Sequence, residues 1–332
     1  MRTHPSRLPL ALALLTGLAT AAQAQAPAQP PAADTPEQHL AAAKAAAAFD
    51  FTGTLARICV APQTGPGADV APRPPPARDT WYSEPARVFD NLYFVGTLVH
   101  SAWALTTSEG IILIDTLYDY ATEEEIIGGL RKLGLDPASV KYVIVSHGHG
   151  DHVGGAHILQ QQLGARVVMS AEDWSLVEAS RNQFPNGKPR RDVVAMDGQT
   201  ITLGDTAVRL IHTPGHTPGT LSMIFPVRDG ARTLTVAYSG GTAFNFINDV
   251  PHFDTYIASQ RRMAASAREA GATVLLSNHS EFDNAVTKIR MLPSRRLGEP
   301  SPFENGAEAV ARYFRVTDEC AQAARLRLMR GS

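Results

Sequence analysis

The stretch Ser146–Gly155, SHGHGDHVGG, sets His147, His149, Asp151 and His152 within a few residues of one another, with glycines between them. A solvated loop has no use for such crowding of imidazole and carboxylate, whereas a metal site does. The apolar run Tyr142–Val145 reads as a strand delivering the cluster, and Val153–Leu163 reads as the helix that follows. Side chains two apart at a strand exit point the same way, so His147 and His149 can reach one metal. Asp151 and His152 stand where the helix begins and face another direction, so one loop can feed two adjacent metals. The interleaved glycines let the backbone bend that tightly.

Outward from the cluster, strand and helix patterns alternate. Val88-Phe89 and Leu92–Val95 flank Asp90-Asn91 as a hairpin, and Ala102–Thr107 and Ile111–Ile114 flank a second turn. Thr122–Glu125 reads as a capping box opening a helix that stops at Gly134. Arg166–Met169 is a further strand. Gln199–Thr213 reads as two strands around Gly204-Asp205, and Leu221–Phe225, Thr233–Tyr238 and Thr273–Leu276 as three more, with a helix over Asp254–Ala270. This order predicts a layered α/β architecture with mixed sheets and helices outside.

The chain has 332 residues, 44% hydrophobic and 19% charged, which suits a globular protein with a sizeable core. A formal net charge of −2 offers no basic field for nucleic acid. Arg2 and Arg7, the apolar run Leu8–Ala22 and Ala22-Gln23-Ala24 read as a secretory signal over residues 1–24, and hence as export to a bacterial periplasm. Residues 25–80 read as a leader remnant, an Ala-rich helix and a Pro-rich strap, with the organised domain at 81–332. No later apolar run is long enough to span a bilayer. Cys59 and Cys320 lie away from the histidine cluster; in an oxidising compartment they form a natural disulfide pair, the alternative being two buried thiols.

Two more histidines stand where strands meet Gly- or Asn-containing turns: His216 in HTPGHTPG (His212–Gly219) and His279 in LLSNHSEFD (Leu275–Asp283). Five histidines and one aspartate suffice for two zinc ions with positions left for water. His157 reads as a packing residue or as a hydrogen-bond donor behind a ligand, His212 as structural and His252 as a helix-entry residue, while His100 is a candidate for the cleft mouth. Asp115 ends an apolar strand; it is a candidate to orient a ligating imidazole, or else a turn-capping aspartate. Thr217, Thr242 and Asn245 are candidates for substrate contact or for local turn chemistry.

HGHGDH (147–152), GHTPG (215–219) and SNH (277–279), in that order, resemble the metallo-β-lactamase superfamily over about Val88–Ile289. The resemblance implies an αββα sandwich of two mixed sheets with helices outside. It assigns His147, His149 and His216 to a first zinc, and Asp151, His152 and His279 to a second. Many hydrolases of the superfamily carry a bridging aspartate where this chain has VAYSGGTAFNF (236–246), with neither carboxylate nor cysteine. That departure, with NLYFVGT (91–97) and IILIDTL (111–117), resembles the third subclass of class B β-lactamases.

The function so implied is opening of a β-lactam amide by a metal-activated hydroxide, with Asp151 as ligand and as holder or shuttle of the proton. The substrate is a small molecule, and a cationic cleft favours one bearing a carboxylate. Members of that subclass often place serines where Gly241 and Ala243 stand, which leaves zinc, backbone N–H groups, Thr242 or Asn245 to hold it. The alternative is a related hydrolase of lactones, thioesters or other esters, against which the missing aspartate argues. A metal-binding scaffold without turnover is a third class, against which the intact ligand set argues.

Overall fold

The computed structural model describes residues 1, 34–60, 75–181, 183–184, 186–244 and 249–331. The secretory signal, most of the Pro-rich strap and the candidate Asn245 lie outside them. The chain divides into two units, Met1–Asp34 and Thr35–Ser332, and the fold is that of the second.

Twelve strands among the described residues form two sheets. The first holds β1 (Ala86–Phe89), β2 (Leu92–Phe94), β3 (Trp103–Thr107), β4 (Gly110–Ile114), β5 (Val140–Ile144), β6 (Arg166–Ser170) and β7 (Val193–Ala195), side by side in chain order. Its first four strands pair antiparallel and its last four parallel. The second holds β8 (Thr200–Leu203), β9 (Thr206–His212), β10 (Leu221–Asp229), β11 (Arg232–Ser239) and β12 (Val274–Ser277). It is antiparallel except for the parallel pair of β11 and β12.

Between the sheets lies one core, in which Phe94, Trp103 and Ile144 of the first meet Met223, Phe225, Tyr238 and Leu276 of the second. The outer face of the first sheet buries Leu113, Val143 and Val167 under helices that contribute Ile126, Leu159 and Trp174. The outer face of the second buries Ile224, Ala237 and Leu275 under α1 (Pro36–Ala47), α2 (Thr52–Ile58) and the helices Val250–Glu269 and Ala307–Arg330. Four layers result, helix–sheet–sheet–helix, as the family resemblance implied. Each such side chain taken wholly from water contributes about 1.5–3 kcal/mol before chain entropy is counted.

Two local expectations are corrected. Thr122 does not cap a helix: its hydroxyl donates to the carbonyls of Thr116 and Tyr118 at 2.9 and 3.0 Å, and Thr122–Ile127 winds as a wider π-helix turn. The helix after the histidine cluster is split into Gly150–Val153 and Ala156–Leu163. The Cys59–Cys320 disulfide is formed, with its Cα atoms 4.7 Å apart, and it fastens the end of α2 to the helix Ala307–Arg330. The hydroxyl of Thr54 on α2 donates to the carbonyl of Phe282 at 2.7 Å, so α2 rests on the turn that follows His279. Among the described residues no helix is long and apolar enough to cross a membrane.

Candidate metal centre

The parallel strands β4, β5 and β6 end at one edge of the first sheet, and β11 and β12 end together in the second. Asp115 follows β4, His147 follows β5, Gly240 follows β11 and His279 follows β12, so chain segments far apart in sequence meet at one rim. The turn after β9 brings in His216, and the connection between β2 and β3 brings in His100.

Three groups of side chains have their ligand atoms within 4.8 Å of one another: His147 with His149 and His216; His147 with Asp151 and His152; and His100 with Asp151 and His279. All six ligand candidates thus converge. His216 Nε2 lies 3.0 Å from His147 Nε2 and 3.1 Å from His149 Nδ1. His152 Nε2 lies 3.1 Å from His279 Nε2 and 3.2 Å from Asp151 Oδ2.

The far side of each ring decides what these contacts mean. His147 Nδ1 faces the carbonyl of Gly240 at 2.9 Å, and His216 Nδ1 faces that of Ala243 at 2.7 Å. His152 Nδ1 faces a carboxylate oxygen of Asp115 at 3.0 Å. A carbonyl or carboxylate only accepts, so each of these Nδ1 atoms carries a hydrogen, and in the neutral rings of His147 and His216 Nε2 presents a bare lone pair inward. Lone pairs facing each other at 3.0 Å repel unless a cation lies between them. The donor set therefore fits a pair of divalent metal ions, and imidazole nitrogens with a single carboxylate suit zinc.

Electrostatics divide the rings into two groups. Burial holds His147 and His216 well below the ordinary imidazole range and His149 at about 4, so all three are neutral, the ligating form. Burial likewise lowers His100 to about 3. His152 goes the other way: burial opposes its charge, but Asp151 and Asp115 outweigh it and push the ring up to about 10. Burial alone would raise Asp151, yet the charge of His152 and hydrogen bonds from His152 and His279 hold it well below the usual carboxylate range.

Asp115 is fully buried and accepts four hydrogen bonds: from Ser146 N and Oγ at 2.7 and 2.9 Å, from Tyr238 at 2.8 Å and from His152. Its backbone sits at φ 62°, a left-handed conformation that costs on the order of 1 kcal/mol for a residue with a Cβ, and strain of this kind gathers at functional sites. Of the substrate candidates, Thr242 turns its hydroxyl to Tyr313 at 2.6 Å, away from the ligand atoms. Thr217 donates to Asp173 at 2.7 Å. His252 meets the carbonyl of Gly215 through Nε2 at 2.7 Å, and His157 packs by the carbonyl of Gly154.

Two residues escaped the sequence reading. Asp173, buried on the helix Ala171–Ala179, accepts from Gly148 N at 2.8 Å, Gly219 N at 2.9 Å and Thr217, so one carboxylate ties the first histidine loop to the loop of His216. Arg57 of α2 lines the same cleft as Asp151, His216, Ala243 and His279. Neither carries a local signal, because each acts across layers. Beyond His100, Trp81, Val99, Tyr118 and Tyr120 line an adjoining apolar recess of about 110 Å³. A larger recess of about 510 Å³ around Asp229, Arg232 and Arg295 holds none of the ligand candidates, and its charges pair with each other.

Gly240 and Gly241 leave no room for a bridging side chain. A Cβ on Gly240 would lie 1.8 Å from the carbonyl oxygen of Leu221, and one on Gly241 would lie 2.6 Å from the Cβ of His216. The missing carboxylate is thus built into the packing around His216.

A family model described as the metallo-beta-lactamase superfamily matches residues 95–264. The chain is 33% identical over 199 residues to a hydroxyacylglutathione hydrolase of Acidiphilium cryptum, spanning 56% of this chain and 76% of that protein. It is 26% identical over 181 residues to an N-acyl homoserine lactonase of a Bacillus species, spanning 47% and 70%. Among solved structures, BJP-1, a subclass B3 metallo-beta-lactamase of Bradyrhizobium japonicum, superposes with a TM-score of 0.61 at 29% identity, covering 70% of this chain and 90% of that one.

Proposed function

The chain belongs to the metallo-β-lactamase superfamily of hydrolases, and we propose that it is a di-zinc enzyme that opens the amide bond of β-lactam rings. The observation that carries this reading is the convergence of five histidines and Asp151, His147 and His149 meeting His216 on one side and Asp151 and His152 meeting His279 on the other, beside Gly240 and Gly241 where no bridging carboxylate fits. The likeness to BJP-1 supports it.

His147, His149 and His216 hold one metal ion, and Asp151, His152 and His279 hold the other. Such a pair supplies Lewis acidity, polarising a carbonyl and lowering the pKa of a coordinated water. The chain's own residues do the rest. Gly240, Ala243 and Asp115 hold Nδ1 of His147, His216 and His152, so that in each of these three rings Nε2 would be the ligand atom. The Asp151 carboxylate stands among the ligating nitrogens; with Oδ2 turned to the metal position, its other oxygen would accept a proton from the attacking water and return it to the departing nitrogen. Arg57 supplies a cation at the cleft for a substrate carboxylate, a task that the hydroxyl of Thr242 is not turned to perform. The disulfide supports residence in an oxidising compartment such as the periplasm.

Steady-state rates of the zinc-loaded protein test the reading on a penicillin, a cephalosporin, a carbapenem, hydroxyacylglutathione and an N-acyl homoserine lactone. We expect β-lactam turnover that disappears on chelation and in Asp151→Ala. A second reading is supported by the two sequence relatives named for other substrates. Rapid turnover of hydroxyacylglutathione or of the lactone, with no β-lactam cleavage, would establish it and overturn the first.

A further inference from the structure

We propose that His100 is a fourth protein ligand of the second metal position, completing a set of His100, Asp151, His152 and His279. The proposal rests on the reading that this position holds a metal ion. The motif-borne ligand set stops at three residues there; His100 comes from a different part of the chain, between β2 and β3.

The spacing of donor atoms carries the inference. Oδ2 of Asp151 lies 3.2 Å from His152 Nε2, 3.4 Å from His279 Nε2 and 3.5 Å from His100 Nε2. Ligands about 2.0–2.1 Å from a tetrahedral zinc stand about 3.3–3.4 Å apart along the edges of the tetrahedron. The three distances bracket that edge, and His100 departs from it by no more than His152 does. The ligand atoms of His100, Asp151 and His279 also form a compact group by themselves.

The backbone holds His100 in place from two sides. His100 and His279 pair as an isolated antiparallel bridge. On either side of it, Ser101 N donates to the carbonyl of Asn278 and Ser280 N to that of Val99, both at 2.9 Å. Thr97 closes the turn: its Oγ1 accepts from His100 N at 2.9 Å and its N–H donates to the carbonyl of His100 at 2.8 Å. The ring stands edge-on to Tyr118, with centroids 5.3 Å apart, and to His279 at 5.0 Å. A side chain so fixed presents Nε2 to the cluster with little entropy left to lose.

The two metal positions then differ in kind. Four protein ligands fill a tetrahedral sphere, as in closed structural sites, whereas His147, His149 and His216 leave the first position open. The second ion is accordingly the more tightly held, and exchangeable water belongs chiefly to the first.

Competition titration of the metal-free protein against a chromophoric chelator measures both zinc affinities, in the unmodified chain and in His100→Phe, which keeps a ring against Tyr118. We expect the variant to weaken one of the two sites at least tenfold and to leave the other within twofold. A second variant, His100→Cys, is loaded with cobalt(II). A thiolate at that position gives a sulfur-to-cobalt charge-transfer band in the near ultraviolet only if residue 100 touches the metal, and we expect that band. Unchanged affinities in His100→Phe together with no such band would overturn the proposal while leaving the two-metal reading intact. An unmodified protein that takes up fewer than two metals would instead overturn that reading, and the proposal with it.

Discussion

Nδ1 of His152 donates a hydrogen bond to Oδ2 of Asp115 at 3.0 Å, and both side chains are completely buried. The bond fixes which nitrogen of His152 is free for metal, and it makes that nitrogen more basic. Asp115 is held in turn by Ser146 and Tyr238, so the orientation of a ligand on one loop depends on two strands of different sheets.

Replacing Asp115 with Asn sets an amide NH2 among four donors. We expect zinc affinity at one site to fall about 10–100-fold, the range found when such outer partners of a ligand are lost. Chelator competition measures it; an affinity within twofold of the parent would show that Asp115 does not orient His152.

Asp173 joins the loop of Gly148 to the loop of Thr217 and Gly219 through three hydrogen bonds. Asp173→Ala leaves the buried N–H groups of Gly148 and Gly219 unpaired, at about 1–3 kcal/mol for each, and Thr217 with Thr220 alone. Urea denaturation of the zinc-loaded protein should show a loss of about 3–5 kcal/mol, accompanied by weaker binding at the site of His149 and His216. Full stability in the alanine variant would contradict the tie.

Burial lifts Asp283 from 3.8 to about 7, against the opposing pull of Lys288 and of hydrogen bonds from Ser277 and Ala285. The folded state therefore binds a proton more tightly than the unfolded chain does. The stability linked to that proton is complete below about 3.8 and is lost as pH rises through about 7. Asp283→Asn removes the titration. Between pH 4 and pH 7 its unfolding free energy from urea titration should decline less steeply than that of the parent, by up to about 4 kcal/mol across the window. Parallel profiles for the two proteins would rule the linkage out.

Arg57 is half exposed and only loosely paired with Glu281 at 3.4 Å, so its charge remains open to a ligand. For a β-lactam carrying a carboxylate we expect Arg57→Ala to raise KM about tenfold or more with little change in kcat, since a hydrogen bond to a charged group contributes about 1.5–3 kcal/mol. The ester of the same compound should lose the difference. Equal losses on acid and ester would remove Arg57 from recognition.

The sequence by itself determined the layered fold and the core of the candidate metal centre. Ligand clusters such as HGHGDH and GHTPG are local: strand exits and tight turns set their direction over a few residues, so spacing alone exposes them. The alternating apolar runs were equally local and gave a layered α/β architecture; that the strands divide into two stacked sheets was implied by the family resemblance. The ends of elements were less legible, because packing extends a strand or helix past its propensity: β10 runs on to Asp229, and Thr122 bonds backward instead of capping. What only the tertiary structure decided lies across layers. Asp173 reaches Thr217 over 44 positions, Cys59 reaches Cys320 over 261, and Arg57 and His100 arrive from elements with no motif of their own. Even a pairing that the cysteine count made reasonable needed α2 and the last helix to lie on one face of the second sheet. Such contacts depend on sheet register and on which helix covers which face, and these are fixed by burial of the whole core rather than by any short stretch of chain.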